Sequence, residues 1–355
     1  MADGNDRTDI LAAAVAAASA TGRPLRPVGG DTKRGYGRAV TAEPLPLAGH
    51  TGIVEYEPTE LVVTARAGTP LAELEAALAA QGQMLGFEPP HLGAGATLGG
   101  TVACGLSGPR RPYAGAARDF VLGVRLLNGR GQPLRFGGQV IKNVAGYDLS
   151  RLMAGAQGTL GVLLEVSLRV LPRPPCELTL VQELAADAAL AAVNRWAGQP
   201  LPISAACHDG ERLRLRLSGT RAGVDAARAQ LGGAVDDDGA RWWRDLRERQ
   251  LPFFAGDGPC WRLAVTPAAL QPDLPGRWLL DWGGAQRWLR SDAPTATVRA
   301  AALAAGGHAT RIDASDDDAG PFQPLQPAVF GVHRRLKAAL DPAGILNPGR
   351  LYAGL

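Results

Sequence analysis

The sequence predicts an α+β fold, and three observations carry that prediction. Residues 53–90 run strand, strand, helix, strand, not the strict alternation of a parallel sheet. Residues 89–165 interleave the strand-like runs VLGVRLL and LGVLLEV with glycines at 93, 95, 99, 100, 105, 108, 115 and 123, then at 137, 138, 146, 155, 158 and 161. Beyond residue 178 short strands alternate with helices, which suggests an antiparallel sheet with helices on one side.

Taken in order, a first helix starts near Thr8 or Asp9 and stops at Thr21-Gly22. LRPVGG (25–30) reads as a short strand entering a turn, and GGDTKRGYG (29–37) follows as a glycine-flanked loop. Backbone N–H groups of such a loop can converge on a phosphate. It is neither a Walker A motif nor a Rossmann fingerprint, and taken in isolation it reads better as a surface hairpin than as a phosphate loop. IVEYEP and LVVTARAG alternate like half-buried strands. Thr69 as N-cap, Pro70 at N1 and Glu73 in the first turn predict a helix with Leu71, Leu74 and Leu78 on its apolar face, ending at Gln81-Gly82. QMLGFEPP is a final extended piece. A chain uses glycine where φ is positive or where backbone must approach something closely. The glycine density therefore points to loops lying against a large flat ligand, with a ligand-free, turn-rich β domain as the alternative.

All seven tryptophans lie in the second half, at 196, 242, 243, 261, 278, 282 and 288. Arg173-Pro174-Pro175 ends a strand-like run and reads as a linker. The predicted domains are 1–174, 175–322 and a C-terminal segment 323–355 with its own helix and a terminal DPAGILNPGR. In the second domain, strands are expected at LTLVQEL, ISAACHD, RLRLRLSG, WRLAV, RWLLDW, AQRWLR and HATRI, with helices at AALAAVNRWAG and around 224–231, 241–250 and 295–304. DWGGAQRWLR carries Trp282, Arg287 and Trp288, either as part of a pocket or interface or as a buried hairpin with a Gly-Gly turn. Arg110 and Arg111 can hold a carboxylate or an acidic partner face, or stand as a solvated pair.

A chain of 355 residues suggests two domains. Lys and Arg total 37 against 34 Asp and Glu, and no basic run stands out, so nothing marks a nucleic-acid binder. The start, MADGNDRTDI, is acidic where a signal peptide is basic, and LAAAVAAASA is too short to span a bilayer. Cysteines at 104, 176, 207 and 260 form no CxxC, which argues against an iron–sulfur or zinc site here and fits free thiols in a reducing, cytoplasmic setting.

LRPVGGDTKRGYG, TELVVTARAGTPLAELEAAL and EPPHLGAGATLGGTVACGLSGPRRPYAG together resemble the FAD-binding domain of the vanillyl-alcohol-oxidase, or PCMH, type. GGQVIKNVAGYDLSRLMAGAQGTLGVLLEVSLRVLPRP closes the same domain. SGPRRPYAGAARDFVLGVRLLNGRG, VIKNVAGYDLSRLMAGAQGTLGVLLEV, DWGGAQRWL and DPAGILNPGR resemble, over essentially the whole chain, the family of FAD-binding subunits E of bacterial glycolate oxidase. The resemblance implies a PCMH-type FAD domain of two α+β subdomains plus an α+β cap domain with an antiparallel sheet on the substrate side. It implies FAD with its pyrophosphate on Val28, Gly29, Gly30, Asp31, Thr32, Lys33 and Gly35. A second flavin-contacting segment would be Pro90, Thr97, Leu98, Gly99, Gly100, Cys104, Gly105 and Ser107. Gly158, Thr159, Gly161 and Val162 would form a closing turn, and Asn347 of LNPG is nominated beside the flavin, or else as a cap or turn residue.

Two departures bear on chemistry. Residues 25–38 contain no His or Cys for covalent attachment, so the FAD is expected to be noncovalent. The H-x-G-D-G-N-x-H motif of catalytic 2-hydroxy-acid oxidases is absent, and the histidines stand alone at 50, 91, 208, 308 and 333. No general base is identified; His91 and Arg287 are the candidates for a catalytic role. The implied activity is oxidation of glycolate, a small-molecule 2-hydroxy acid, to glyoxylate. The implied partners are a catalytic FAD subunit and an iron–sulfur subunit, on the cytoplasmic side and peripheral to the inner membrane face through the complex. Two alternatives remain: a non-catalytic electron-transfer or scaffold flavin subunit, and a stand-alone FAD-dependent alcohol or hydroxy-acid oxidoreductase.

Overall fold

The computed structural model describes residues 5–138, 147–313 and 320–355. Gly146 and most of the VIKNVAGYDL run lie outside the described residues. The chain divides into two compact units, one of residues 1–106, 116–173 and 324–355, the other of residues 107–115 and 174–323.

In the first unit a helix, Thr8–Thr21, ends on Gly22 at φ 66°. Two short strands, β1 (Leu25–Val28) and β2 (Glu43–Pro46), pair in parallel, and everything between them is loop. Next come β3 (Ile53–Glu57), β4 (Val62–Arg66), β5 (Gln83–Met84), β6 (Val121–Leu127), β7 (Pro133–Gly137), β8 (Val162–Arg169) and β9 (Leu171–Pro172). Five of these form an antiparallel sheet in the order β3-β4-β8-β6-β7, while β5 pairs with β9. Leu11, Val15 and Ala18 of the first helix share a core with Leu25, Leu45, Leu127, Val162, Leu164, Ile345 and Leu346. Each buried leucine, isoleucine or valine among them contributes roughly 1.5–3 kcal/mol. One core thus joins the N-terminal helix, the parallel pair, the long strands and the C-terminal segment. The C-terminal segment runs alongside β1: the Leu25 amide donates to Ile345 O at 2.7 Å and the Asn347 amide donates to Leu25 O at 2.9 Å.

The helix predicted from Thr69-Pro70 forms over Leu71–Ala80 with Leu71, Leu74 and Leu78 buried. Its cap differs from the expectation. Pro70 occupies the N-cap, and the fully buried Thr69 hydroxyl accepts from the Gly52 amide at 3.0 Å, so it ties two loops together instead of capping.

The second unit holds β10 (Cys176–Gln182), β11 (Ile203–His208), β12 (Leu213–Gly219), β13 (Ala234–Val235), β14 (Cys260–Ala264), β15 (Arg277–Asp281), β16 (Gln286–Arg290) and β17 (His308–Arg311). They form one antiparallel sheet in the order β13-β10-β12-β11-β15-β16-β14-β17. The expectation of helices on one side is corrected. Ala189 and Val193, with Val224 and Ala227, pack on one face, and Val298 and Ala302 cover its far end. Trp243 and Leu246 of the helix Gly239–Arg247 cover the opposite face against Ala205, Cys207, Leu279 and Trp288. Strand alternation makes both faces of this sheet apolar, so both need cover.

Candidate functional site

A cleft in the first unit, with about 850 Å³ of empty space partly open to solvent, collects residues far apart in sequence. The loop after β1 forms one wall. The Arg34 amide returns to Asp31 O and the Tyr36 amide to Lys33 O, while among the described residues the amides of Gly29, Gly30, Asp31 and Thr32 have no protein acceptor. Asp31 adopts φ 55°, and its carboxylate takes a 2.8 Å bond from Arg26 Nη1, which turns that charge aside from the amides. Successive amides with a left-handed residue among them form an anion-binding concavity.

The opposite wall is the helix Leu98–Cys104, entered through Thr97, whose side chain accepts from the Gly100 amide. The Gly99 amide donates to Ala67 O at 2.7 Å, and a Cβ on Gly99 would lie 2.6 Å from Ala67 Cβ, so the helix can seat this closely only with glycine there. Lys33, 8 % exposed, donates from Nζ to His91 O at 3.0 Å, and the Thr32 hydroxyl donates to the same carbonyl at 2.9 Å. The floor comes from Gln157, Gly158, Gly161 and Leu163, and the C-terminal side from Asn347 and Arg350. Asn347 stands at φ 43° and is 5 % exposed. Its Nδ2 donates to Gln157 O at 2.7 Å, while its Oδ1 is buried with no partner. Arg26, Lys33, Arg34 and Arg350 line the cleft against a single carboxylate, Asp31. The cleft is charged for an anion, and its lining holds no histidine.

Of the residues expected to contact a cofactor, the structure gathers Val28, Gly29, Gly30, Asp31, Thr32, Lys33, Thr97, Gly99, Gly100, Cys104, Gly158, Gly161 and Asn347 around this cleft. Others lie off its lining. Val162 points into the core, and its neighbour Leu163 lines the cleft, because alternate residues of β8 face opposite ways. Thr159 uses its hydroxyl on Ala156 O and its carbonyl on Lys337. Gly105 is the left-handed C-cap of the cleft helix, Leu98 and Pro90 are buried, and Gly35 faces open space. Ser107 belongs to the second unit.

The two catalytic candidates are both occupied elsewhere. His91 pairs through Nε2 with Glu75 at 2.9 Å, and its carbonyl accepts from Thr32 and Lys33 of the cleft loop. Arg287 is fully buried in the second unit and donates to the carbonyls of Gly284, Leu270 and Ala269. Burial pushes its pKa down from the usual arginine value, although nearby Asp187 opposes this. It fixes the loop around 267–270 inside a hairpin whose turn carries Gly283 at φ 63° and Gly284 at φ 95°. Arg110 pairs with Glu177, and Arg111 stacks 4.5 Å above the Trp282 ring. Sequence reasoning missed Arg26, Arg34, Leu47, Gln157 and Arg350. Arg350 lies in the quoted DPAGILNPGR, three residues after Asn347, but local sequence does not show what it reaches.

Residues 6–137 match the FAD binding domain family, and residues 324–351 match the C-terminal domain of FAD linked oxidases. The chain is 52% identical over 332 residues to glycolate oxidase subunit GlcE of Escherichia coli K12, covering 94% of this chain and 93% of that protein. It is 32% identical over 129 residues to glycolate oxidase subunit GlcD of Bacillus subtilis, a match spanning 36% of this chain and 27% of that one. Among solved structures, p-cresol methylhydroxylase superposes with a TM-score of 0.68 at 15% identity, covering 97% of this chain and 87% of that one. Alkyldihydroxyacetonephosphate synthase gives the same TM-score at 17% identity, covering 97% and 74%. The fold is therefore the PCMH type, α+β with FAD as its cofactor. Both glycolate oxidase relatives are named as subunits, which implies a multi-subunit assembly. With 52% identity along nearly the whole length of one named subunit, and a basic, glycine-rich cleft walled largely by the matched FAD domain, the chain belongs to the GlcE family of glycolate oxidase subunits, FAD-dependent oxidoreductases.

Proposed function

We propose that this chain is the FAD-carrying subunit of an assembly that oxidises glycolate to glyoxylate. The observation that supports it most is the run of unpartnered amides at Gly29, Gly30, Asp31 and Thr32, set in a basic cleft. Charge-assisted bonds from several amides to a pyrophosphate are the strong kind, and the loop offers them without rearrangement. Val28 to Lys33 would hold the pyrophosphate. Thr97, Gly99, Gly100 and Cys104 would lie along one side of the cofactor, and Gly158 and Gly161 along another. The buried, unpartnered Oδ1 of Asn347 suits a cofactor N–H, since a buried acceptor left unmade costs roughly 1–3 kcal/mol. With no His or Cys in residues 25–38, the attachment would be noncovalent. The second unit would be the substrate-side domain.

When bound, FAD supplies a two-electron acceptor for the hydride leaving C2 of glycolate. The hydroxyl proton must go to a base. Asp31 is held by Arg26, no histidine lines the cleft, and His91 is paired with Glu75. That favours a second reading of the same subunit: it relays electrons, and the substrate is oxidised on a partner flavin subunit. Among the described residues no three His, Cys, Asp or Glu side chains converge as a metal site, so an iron–sulfur relay would sit on another subunit. Among the same residues no helix is long and apolar enough to cross a membrane. In this reading the assembly is cytoplasmic and reaches the inner membrane face through its partners.

The test is a visible spectrum of the purified chain before and after anaerobic glycolate, then with the other oxidase subunits added. The expected result is a flavin spectrum that bleaches fully only in the assembly. Bleaching of the isolated chain at the assembly's rate would instead support a stand-alone oxidoreductase. A chain that takes up no FAD would overturn the proposal.

A further inference from the structure

We infer that Arg350 is a positioning residue that shapes the 29–38 loop for its ligand, so that the C-terminal segment sets cofactor affinity from behind the loop. The inference rests on the assignment of the cleft to FAD. The Arg350 guanidinium collects carbonyls from the whole second half of the loop. Nη2 donates to Tyr36 O at 2.6 Å and Arg34 O at 2.9 Å, with Lys33 O at 3.3 Å. Nη1 donates to Arg38 O at 2.7 Å, and Nε donates to Gln157 Oε1 at 2.9 Å. The return bond also exists: the Arg38 amide donates to Arg350 O at 2.9 Å.

A peptide unit has its N–H and C=O on opposite edges. Drawing the carbonyls of residues 33, 34, 36 and 38 to one cation turns the amides that share those peptide units, 34, 35, 37 and 39, away from it and fixes the second half of the loop; the Arg34 amide, which donates to Asp31 O at 3.2 Å, ties that half to the 29–32 segment. Burial lowers the Arg350 pKa from its usual value, yet it remains a cation at any physiological pH. Its fixed charge also adds to the positive field of the cleft it lines. Gly37 makes room for this arrangement. It stands at φ 120°, and a Cβ there would collide with Gln157 Oε1 and lie 2.9 Å from Arg350 Nε. Only a planar, five-donor group meets acceptors spread this way, so lysine is not an equivalent.

The test uses the full chain and three readouts: FAD affinity by fluorescence titration, hydrogen exchange of residues 29–38 without FAD, and thermal unfolding. Arg350→Ala is expected to weaken FAD binding about 10- to 100-fold, in line with losing one to three net hydrogen bonds. Exchange in the loop should rise while exchange in β4, β6 and β8 stays as in the wild type. Arg350→Lys should recover little, and added methylguanidinium should restore part of the affinity of Arg350→Ala alone. If Arg350→Ala does not fold, Gly37→Ala disturbs the same contact from the loop side and should give the same local exchange and affinity loss. Wild-type FAD affinity in a folded Arg350→Ala or Gly37→Ala chain, with unchanged loop exchange, overturns the inference. A wild-type chain that binds no FAD overturns the cleft assignment instead, and the loop exchange would still report whether Arg350 orders the loop.

Discussion

Gly30 packs so closely on Gly95 that a Cβ at residue 30 would overlap the Gly95 carbonyl. A Cβ at Gly29 would meet the Thr97 hydroxyl in the same way. These glycines are therefore required by loop-against-loop packing before any ligand arrives. Gly35, in the same loop, faces open space at a backbone angle any residue adopts. Gly30→Ala should cost about 1–3 kcal/mol through overpacking and reduce flavin occupancy. Gly35→Ala should leave both unchanged. Flavin content and urea midpoints of the two variants check this, and equal behaviour would contradict it.

Asn347 combines a left-handed backbone with one used and one unused polar atom. Asn347→Gly keeps φ 43° without strain and removes both atoms. Losing the bond to Gln157 O should cost the apo-protein about 1 kcal/mol. FAD affinity should fall by a further factor of about 5–10 if Oδ1 accepts from the cofactor. An unchanged dissociation constant would exclude that contact.

Lys337 holds the C-terminal segment to the rest of its unit. Its ammonium, 8 % exposed, reaches Asp341 Oδ2 at 2.7 Å, Thr159 O at 2.8 Å and Leu346 O at 2.6 Å. Asp341 in turn accepts from the amides of Ile345 and Leu346. Lys337→Met should destabilise by about 3–5 kcal/mol, because it strands a buried carboxylate. Lys337→Met with Asp341→Asn should be milder than the single change, since no unpaired charge remains. Chemical denaturation of both variants measures the difference.

Acid should weaken the fold through His50. Its ring is fully buried, and Nδ1 accepts from the Arg7 amide at 3.0 Å, an arrangement available only to the neutral ring. Burial pushes its pKa below the usual 6.5, against the pull of nearby Asp6 and with the push of Arg66. His308 shifts the same way, by burial and by Arg262. The unfolded chain therefore binds these protons first. The stability is fully present above pH 6.5 and is lost as pH falls below it. Unfolding free energies at about pH 5 and pH 7 should differ less in His50→Gln than in the wild type. An unchanged difference would rule out His50 as a source.

Much of this was legible because the signals were local. VLGVRLL became β6 without adjustment, and Leu71, Leu74 and Leu78 turned one helix face inward as their spacing requires. The loop at 29–37 announced itself by glycine. What stayed hidden was set by partners distant in sequence. Nothing near Arg350 tells that it serves carbonyls more than 300 positions away. A motif marks a stretch, whereas the facing of each residue depends on strand register, which turns Leu163 and not Val162 to the cleft. Thr69 looked like a cap until Gly52 claimed its hydroxyl. The helix expected around 241–250 forms over Gly239–Arg247, but nothing in its local sequence tells which face of the sheet it covers.

Cys104 is the one thiol lining the cleft, and the His91 ring is paired through Nε2 with Glu75. Neither is expected to bond the flavin. Denaturation should release all flavin into the supernatant, and Cys104→Ser should carry as much as the wild type. Colour retained on the precipitated polypeptide would contradict noncovalent binding.

The amides of Gly29 to Thr32 and the cleft around them are proposed to hold FAD in this chain. The most direct measurement is titration of the purified, flavin-stripped chain with FAD, followed by the amide exchange of residues 29–32. One FAD should bind per chain, with protection confined to those amides and the other cleft-lining backbone. Stoichiometric binding without protection there, or no binding at all, would contradict it.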